Sequence, residues 1–180
     1  MTVFFTADSH FGHANVVRLS KRPFADVSAM NEALISSWNE VVTNDDIVWH
    51  LGDFAYGEGD WIDALWWRLN GIKHLVIGNH DVENTAVLTL PWANSPTQMA
   101  ETSVDGIRIV MCHYPLRSWQ GVGKGAVHLF GHMHGRLIGN RQSCDVGVDA
   151  WEFRPISLDQ ISRRLKSQPP YPEKVLDLDL

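Results

Sequence analysis

The stretch VFFTADSH, residues 3–10, sets the pattern from which the fold is predicted. Its first five residues form a short apolar run, and such runs, rich in Val and Phe, are typical of strands buried on both faces. Asp8 and His10, two residue types that bind metal ions, follow directly. Similar apolar runs occur at residues 47–51, 74–77, 107–111 and 127–130, so the sequence predicts five buried strands.

Segments compatible with helices separate the first three of these strands. Residues 28–42 and 60–69 are predicted helices, and Ser28 is a candidate N-cap of the first. A strand, helix, strand order predicts right-handed crossovers and a parallel sheet. Further along the chain, residues 143–151 are predicted to be extended and residues 157–166 to form a last helix.

The length and composition suit one domain. A chain of 180 residues, 44% hydrophobic and 20% charged, can bury a full core without a disulfide framework. No internal repeat or linker divides it. We therefore predict one α/β domain over residues 1–167 and a C-terminal tail over residues 168–180, where prolines oppose a helix.

Charge and hydropathy narrow the classes of partner. The net charge is −6 and no run of Lys or Arg occurs, so a broad nucleic-acid-binding surface is not expected. No stretch has the roughly 20 apolar residues of a membrane span, and the N-terminus does not have the layout of a signal peptide. We expect a cytoplasmic protein without membrane attachment, and leave open whether it forms a homo-oligomer.

Polar residues inside the apolar runs are expected to be structural. His50, His74 and His128 lie within such runs and are predicted to be hydrogen-bonded histidines of the core or of a sheet face. Cys112 and Cys144 have no C-x-x-C spacing, so we predict that both thiols are reduced and buried.

Residues able to bind metal ions follow each of the five apolar runs. In an open α/β sheet the carboxyl ends of the strands border one crevice, so these side chains are expected to converge. Glycine precedes several of them, which allows the backbone to turn sharply and approach a metal closely. The side chains at the strand ends are those of Asp8, His10, Asp53, Asn79, His80, Asp81, His113, His132 and His134.

These strings occur in an order that resembles a known superfamily. D-x-H, G-D, G-N-H-[D/E], a single His and G-H-x-H follow one another between Asp8 and His134, as in the calcineurin-like metallophosphoesterases. The strings DSHFGHANVV and DVGVDAW also look like those of small, uncharacterised bacterial and phage members. The resemblance implies two packed mixed β-sheets flanked by helices, a four-layer αββα sandwich.

The same resemblance implies a centre of two divalent metal ions. Carried over by motif, a first ligand set consists of Asp8, His10 and His134. A second ligand set consists of Asn79, His113 and His132, and Asp53 bridges the two metals. Carboxylate, imidazole and amide ligands suit Mn, Fe, Zn, Co or Ni better than Ca or Mg, and we expect two Mn ions, with Fe, Zn, Co or Ni as alternatives.

The expected reaction is hydrolysis of a phosphate ester by in-line attack of a hydroxide that bridges the metals. The resemblance implies that His80 protonates the leaving oxygen or stabilises the transition state, and Asp81 is predicted to orient its ring. His13 and Arg117 are candidate substrate contacts, although His13 could instead begin a helix and Arg117 could be an ordinary surface residue.

We expect a small phosphodiester as the substrate, because superfamily members of this size without a cap domain often favour diesters. A phosphomonoesterase, a nuclease acting on DNA or RNA, and a non-catalytic scaffold of the same fold are the alternatives. A protein phosphatase is disfavoured, since those relatives carry an arginine after G-N-H-E where this chain has Val82.

Overall fold

The computed structural model describes residues 1–172 and contains two four-stranded sheets with flanking helices. The strands are β1 (Val3–Thr6), β2 (Ile47–His50), β3 (Ile72–Leu75), β4 (Met99–Val104), β5 (Ile107–Cys112), β6 (Val127–Phe130), β7 (Ser143–Asp145) and β8 (Ile156–Ser157). The helices are α1 (Ala14–Leu19), α2 (Val27–Val41), α3 (Trp61–Arg68), α4 (Thr85–Leu88) and α5 (Leu158–Ser167).

Both sheets are mixed, with one antiparallel strand at an edge. The first has the order β3-β2-β1-β8, in which β8 runs antiparallel to β1. The second has the order β4-β5-β6-β7, in which β4 runs antiparallel to β5. The parallel strands of each sheet carry their carboxyl ends to the same edge. The predicted α/β class with two packed mixed sheets is confirmed.

The core has two main layers because β1 is covered on both faces. Phe5 packs with Ile109 and Leu129 of the second sheet, which closes the space between the sheets. Phe4, the neighbouring residue, points to the opposite face and packs with Met30 of α2. A strand buried on both sides needs an uninterrupted apolar run, which explains the pattern of residues 3–7.

The outer face of the second sheet has a smaller cover. Val110 of β5 packs against Trp119, Val122 and Ala126, which lie in the connection between β5 and β6. This connection includes one 3-10 turn, Val122–Lys124. The fourth layer of the sandwich is therefore formed here by an irregular segment, while helices α2 and α3 cover the first sheet.

Two local predictions are corrected at element boundaries. The third strand spans Ile72–Leu75 and not residues 74–77, because Val76 and Ile77 turn to pair with Thr97. The N-cap of α2 is Asp26 and not Ser28: the Asp26 carboxylate accepts a hydrogen bond of 2.8 Å from the backbone N–H of Ala29. An ionised carboxylate at this position also suits the positive end of the helix dipole.

The C-terminal part differs from the sequence prediction in one respect. Residues 143–151 are extended only in β7, and a 3-10 turn follows at Val148–Ala150. After α5, the Pro169 carbonyl accepts a hydrogen bond of 2.8 Å from the Arg141 backbone N–H. The predicted domain boundary at residue 167 stays a prediction, and most of the predicted tail, residues 173–180, lies outside the described residues.

Within residues 1–172, no helix combines the length and the apolarity needed to cross a bilayer.

The buried histidines and cysteines occupy the places predicted for them. Cys112 and Cys144 are buried, and His50 is fully buried with its Nε2 atom 2.9 Å from Ser9 Oγ. His128 accepts from the Leu116 N–H at Nε2 (3.0 Å), so its Nδ1–H donates to the Val110 carbonyl (3.1 Å).

Burial keeps these imidazoles neutral. Desolvation lowers the pKa of His50 to about 3 and the pKa of His128 to about 4. The third histidine, His74, is half-buried and stacks on Trp49 with 4.4 Å between ring centroids. All three therefore lie in the core or on a sheet face, as the sequence predicted, but the predicted hydrogen bonding holds only for His50 and His128, because the buried Nδ1 atom of His74 has no partner among the described residues.

Replacing His128 by Gln tests this account. The substitution should lower the free energy of unfolding at pH 7 by about 1–3 kcal/mol, since Gln cannot match both hydrogen bonds. Folding lowers the His128 pKa from its ordinary value of 6.5 to about 4, so the stability it contributes is present above pH 6.5 and is lost as the pH falls. The difference between wild type and variant should therefore shrink by roughly 2 kcal/mol between pH 7 and pH 5. Urea unfolding at both pH values measures this, and a constant difference would contradict it.

Candidate metal centre

The loops that follow β1, β2, β5 and β6 meet at one edge of the sandwich. The Asp8 N–H donates to the Gly52 carbonyl (2.9 Å) and joins the loops after β1 and β2. The Gly131 N–H donates to the His113 carbonyl (3.0 Å) and joins the loops after β6 and β5. The His132 N–H donates to both Asp8 carboxylate oxygens at 3.0 and 2.9 Å, which connects the two sheets.

The second ligand set is assembled around the Asn79 side chain. Asn79 Oδ1 lies 3.0 Å from His113 Nε2 and 3.0 Å from His132 Nδ1. The Nδ1–H of His113 donates to the Leu51 carbonyl (2.8 Å), so neutral His113 carries a lone pair at Nε2. Two acceptors, His113 Nε2 and Asn79 Oδ1, therefore face each other at hydrogen-bond distance. A shared cation satisfies both, so the arrangement fits a metal site.

The first ligand set lies beside it. Asp8, His10 and His134 each present a ligand atom within 4.8 Å of the others. The rings of His10 and His134 are stacked with 5.2 Å between centroids. His10 is buried, and its Nε2 atom has no hydrogen-bond partner among the described residues. Because an unpartnered buried nitrogen is costly, this atom also fits a metal ligand.

The Asp53 carboxylate lies between the two sets. Its Oδ2 atom is 3.4 Å from His10 Nε2 of the first set and 3.5 Å from His113 Nε2 of the second. Its Oδ1 atom accepts from the His80 backbone N–H at 2.9 Å. One carboxylate thus faces ligands of both sets, which is the position that a bridging ligand requires.

Most of the predicted ligands have an unusual backbone conformation. A left-handed conformation is uncommon outside glycine, although Asp and His tolerate it better than most residues. Each such residue costs on the order of 1–3 kcal/mol, and such strain is concentrated at functional sites. Five of the seven predicted ligands have φ values between 49° and 68°: Asp8, His10, Asp53, His132 and His134.

Glycines let the loops approach the carboxylates. A Cβ atom at Gly78 would lie 2.3 Å from Asp53 Oδ1, and one at Gly131 would lie 2.6 Å from the Ala7 Cβ and 2.9 Å from Asp8 Oδ2. Neither position accepts a side chain without displacing a predicted ligand or its neighbour. The glycine preceding N-H and H-x-H in the sequence is therefore required by close contact.

The charges of the site suit divalent cations. Burial raises the pKa of Asp8 well above its ordinary value, and the nearby carboxylates of Asp145 and Asp53 raise it further. Burial lowers the pKa of His10 and of His113, which favours neutral imidazoles. Crowded carboxylates and neutral imidazoles are stabilised together by bound positive charge. Their mixture of nitrogen and oxygen ligands fits a divalent transition-metal ion.

Arg22 and Asp149 support the first ligand set. Asp149 Oδ2 lies 2.7 Å from His134 Nδ1, and the Arg22 guanidinium donates to both Asp149 oxygens at 2.9 and 2.8 Å. The same guanidinium donates to the carbonyls of Asp8 (2.6 Å) and Ser9 (2.9 Å). A carboxylate on the second ring nitrogen fixes the orientation of a ligating histidine. Arg22 therefore holds the backbone of one ligand and, through Asp149, the ring of another.

Sequence reasoning missed both of these residues. Burial alone raises the pKa of Asp149, but the hydrogen bonds from His134 and Arg22 bring it below its ordinary value, so the carboxylate stays ionised. The signal in the sequence was DVGVDAW, residues 145–151, which contains Asp149. Arg22, 127 positions away, gave no signal, because its role depends on a contact formed only in the fold.

His80 and His13 face the first ligand set from the solvent side. The exposed His80 ring lies 5.2 Å from the His10 ring, centroid to centroid. His13 Nδ1 is 3.4 Å from His10 Nδ1, and the His13 ring stacks on Tyr56 at 4.4 Å. His13 is the N-cap residue of α1 and its carbonyl accepts from the Val16 N–H at 3.1 Å, as the helix-start alternative predicted, but its side chain makes no capping hydrogen bond. The geometry of His13 thus favours a role at the cleft over one as a side-chain cap. Tyr56 also forms part of the cleft wall, and the sequence did not indicate it.

The position of Asp81 corrects its predicted role. The buried Asp81 carboxylate accepts from the backbone N–H groups of Gly78 (2.8 Å), Asp53 (2.7 Å) and Phe54 (3.0 Å). Among the described residues, none of its hydrogen bonds goes to the His80 ring. Asp81 therefore fixes the loop that carries Asp53 and does not orient His80.

Arg117 lies in the connection between β5 and β6. Its side chain is exposed, and its carbonyl accepts from the Tyr171 hydroxyl at 2.7 Å. Contact between its guanidinium and a substrate stays a prediction.

Comparisons with known proteins agree with this geometry. Residues 1–106 match the family model of the calcineurin-like phosphoesterases. The chain is 29% identical to the uncharacterized protein MJ1445 of Methanocaldococcus jannaschii over 173 residues, covering 91% of each chain. It is 31% identical to the gene 66 protein of Mycobacterium phage D29 over 181 residues, covering 83% of this chain and 88% of the phage protein.

A solved structure has a similar fold. The protein of unknown function AQ665 from Aquifex aeolicus superposes with a TM-score of 0.71 at 21% identity. The alignment covers 90% of this chain and 98% of the Aquifex protein. This likeness supports the arrangement of the two sheets.

Replacing Asp149 by Asn tests the support of His134. The variant is expected to bind Mn²⁺ about 10- to 100-fold more weakly, because the ring loses the charged partner that orients it. Isothermal titration calorimetry measures the affinity of the wild type and of each variant at a temperature where unfolding curves show all of them folded. Asp159→Asn is the control, since that exposed carboxylate pairs with Arg163 on the surface of α5. Equal affinity in all three proteins would contradict the role of Asp149.

Proposed function

This chain belongs to the calcineurin-like phosphoesterase family, and from that premise we propose that it hydrolyses small phosphodiesters with the help of two divalent cations. The observation that carries the proposal is the Asp53 carboxylate, whose Oδ2 atom faces His10 of the first ligand set and His113 of the second. Every ligand position is also intact in the sequence, which favours an enzyme over a scaffold of the same fold.

The two ligand sets would hold one cation each. Asp8, His10 and His134 would bind the first, and Asn79, His113 and His132 the second, with Asp53 shared between them. We propose Mn²⁺ as the preferred ion, because a mixture of imidazole, carboxylate and amide suits it better than Ca²⁺ or Mg²⁺. When bound, the cations would neutralise the phosphate oxygens and make a water acidic enough to act as a nucleophile near neutral pH.

His80 is proposed as the residue that gives a proton to the leaving oxygen. Its backbone N–H is fixed by Asp53 Oδ1 at 2.9 Å, so the residue is tied to the centre of the site. Its ring is exposed and stands over His10, where it can reach a substrate from the solvent side. Proton transfer by a positioned side chain typically contributes about 10²- to 10⁴-fold to the rate.

The preference for diesters rests on the space around His80. On one side of His80 the stacked rings of His13 and Tyr56 form a wall. On the other side a cavity opens, lined in part by Val82 and Tyr114. A phosphodiester has two substituents on phosphorus, and the cavity offers room for the second of them. We propose His13 and Arg117 as substrate contacts.

A small substrate is favoured over a nucleic acid. The chain carries a net charge of −6 and has no run of basic residues, so it offers little general attraction to a polyanion. Phosphate is expected to be attracted only by the local positive charge of the bound cations. Affinity for single- or double-stranded nucleic acid that falls steeply with salt would favour the nuclease alternative instead.

Removing the bridging carboxylate should abolish activity. Chelated wild-type protein is expected to regain hydrolysis of bis(p-nitrophenyl) phosphate when Mn²⁺ is added. Asp53→Asn should stay inactive and lose at least one bound metal, because the amide cannot neutralise two cations. Turnover and metal content by mass spectrometry check this. Asp105→Asn, in the exposed turn between β4 and β5, is the matched control. If the wild-type protein with Mn²⁺ hydrolyses no phosphate monoester or diester, the proposal fails and the alternative of a non-catalytic scaffold is favoured.

The role of His80 is tested by leaving groups of different acidity. His80→Ala should keep both metals yet hydrolyse an alkyl diester about 10²-fold more slowly or worse, since an alkoxide needs a proton as it leaves. The loss should be much smaller for a p-nitrophenyl ester, whose phenolate leaves unprotonated. His74→Ala, in the middle of β3, serves as control. Equal losses on both esters would exclude proton donation, and wild-type rates would remove His80 from the mechanism.

A further inference from the structure

A cavity of about 550 Å³ opens beside the second ligand set, and we call it the side pocket. Its inner wall is formed by Asn79 and His80, so a molecule in it would lie next to the residue that we propose as proton donor. The volume is within the range of cavities that take small organic ligands. The site therefore has a built place for one substituent of the phosphate.

One wall of the side pocket is aromatic and apolar. Tyr114 is 47% exposed, and its ring contacts the rings of His132 and His113 at centroid distances of 4.8 and 5.2 Å. Cys112 and Val82 add apolar surface. A flat ring placed against Tyr114 would thus be held directly beside the second ligand set.

The polar groups of the side pocket select against negative charge. Glu83 supplies a carboxylate and Gln98 a side-chain amide. None of the described residues that line the cavity is Lys or Arg. N–H donors of a ligand can pair with Glu83 and Gln98, whereas a second phosphate group would be repelled by Glu83 and would meet neither Lys nor Arg among these lining residues.

Resting on the proposed function, we propose that the side pocket binds the leaving alcohol of the diester and that this alcohol is an uncharged nucleoside. The base would lie against Tyr114 and offer its N–H groups to Glu83 and Gln98. In the reaction, a water oxygen forms a bond to phosphorus, the bond from phosphorus to the nucleoside oxygen breaks, and His80 gives that oxygen its proton. The products are a free nucleoside and a phosphomonoester.

The identity of the cleaved bond tests the proposal. Adenosine 5′-(methyl phosphate), offered to the Mn²⁺-loaded protein, should yield adenosine and methyl phosphate, with a kcat/KM at least about tenfold above that of dimethyl phosphate. Adenosine 5′-phosphate and methanol as products would overturn it. Turnover of bis(p-nitrophenyl) phosphate is measured in parallel. If this ester is hydrolysed but the nucleoside is not released, the role of the side pocket is wrong and the proposed function stands. If this ester is not hydrolysed, the proposed function is wrong.

Charge selection gives a second test through Glu83. An additional 3′-phosphate on the adenosine should lower kcat/KM relative to the parent diester, and Glu83→Gln should reduce the ratio of kcat/KM between the two substrates by about fivefold or more. An unchanged ratio would overturn the role of Glu83.

Binding of free adenosine gives a readout that does not depend on turnover. Val82→Trp should fill the side pocket and weaken adenosine binding to the Mn²⁺-loaded protein by about tenfold or more, measured by calorimetry. Ile72→Trp is the matched control, because Ile72 is a similarly exposed aliphatic residue at the amino end of β3, away from the site. Equal binding by both variants would overturn the proposal.

Discussion

The Asp53 carboxylate is the group on which the arrangement of this site depends. It is almost completely buried, and its two oxygens face His10, His113 and the His80 backbone. Its own N–H is held by Asp81, which also holds the neighbouring loop backbone. Because one small group serves both ligand sets, the loops after β1, β2 and β5 must end within a few ångströms of one another. The packing of the two sheets meets that requirement.

The loops reach these positions at a local energetic cost that the surrounding fold offsets. Left-handed conformations at Asp8, His10 and Asp53 are unfavourable by themselves and persist only when neighbouring contacts fix them. Arg22 supplies such contacts, because its buried guanidinium binds the Asp8 and Ser9 carbonyls directly. Hydrogen bonds to the backbone therefore hold these residues in position. The side-chain atoms that would bind a metal stay available.

Charge is distributed so that an acidic protein can attract phosphate at one place. Arg22 is the buried cation beneath the first ligand set, and its charge is matched by Asp149. Burial lowers the pKa of the His10 and His113 imidazoles and keeps them neutral, so positive charge between the two ligand sets would come from bound metal. In the side pocket, Glu83 would repel further negative charge on the substrate. Tyr114 offers an uncharged surface there.

The sequence by itself determined the buried strands and the seven predicted ligands, because apolar runs and D-x-H, G-D, G-N-H and G-H-x-H strings are local features. The positions of the candidate ligands were therefore predictable, and metal binding by them stays a prediction. Strand β4 was not, since it is exposed at every second residue and has no apolar run. Only the tertiary structure joined Arg22 to Asp149, directed the Asp81 carboxylate to backbone amides and placed Gln98 near Tyr114. Those relations depend on distances between residues far apart in the chain, and such distances are set by how the sheets and loops pack.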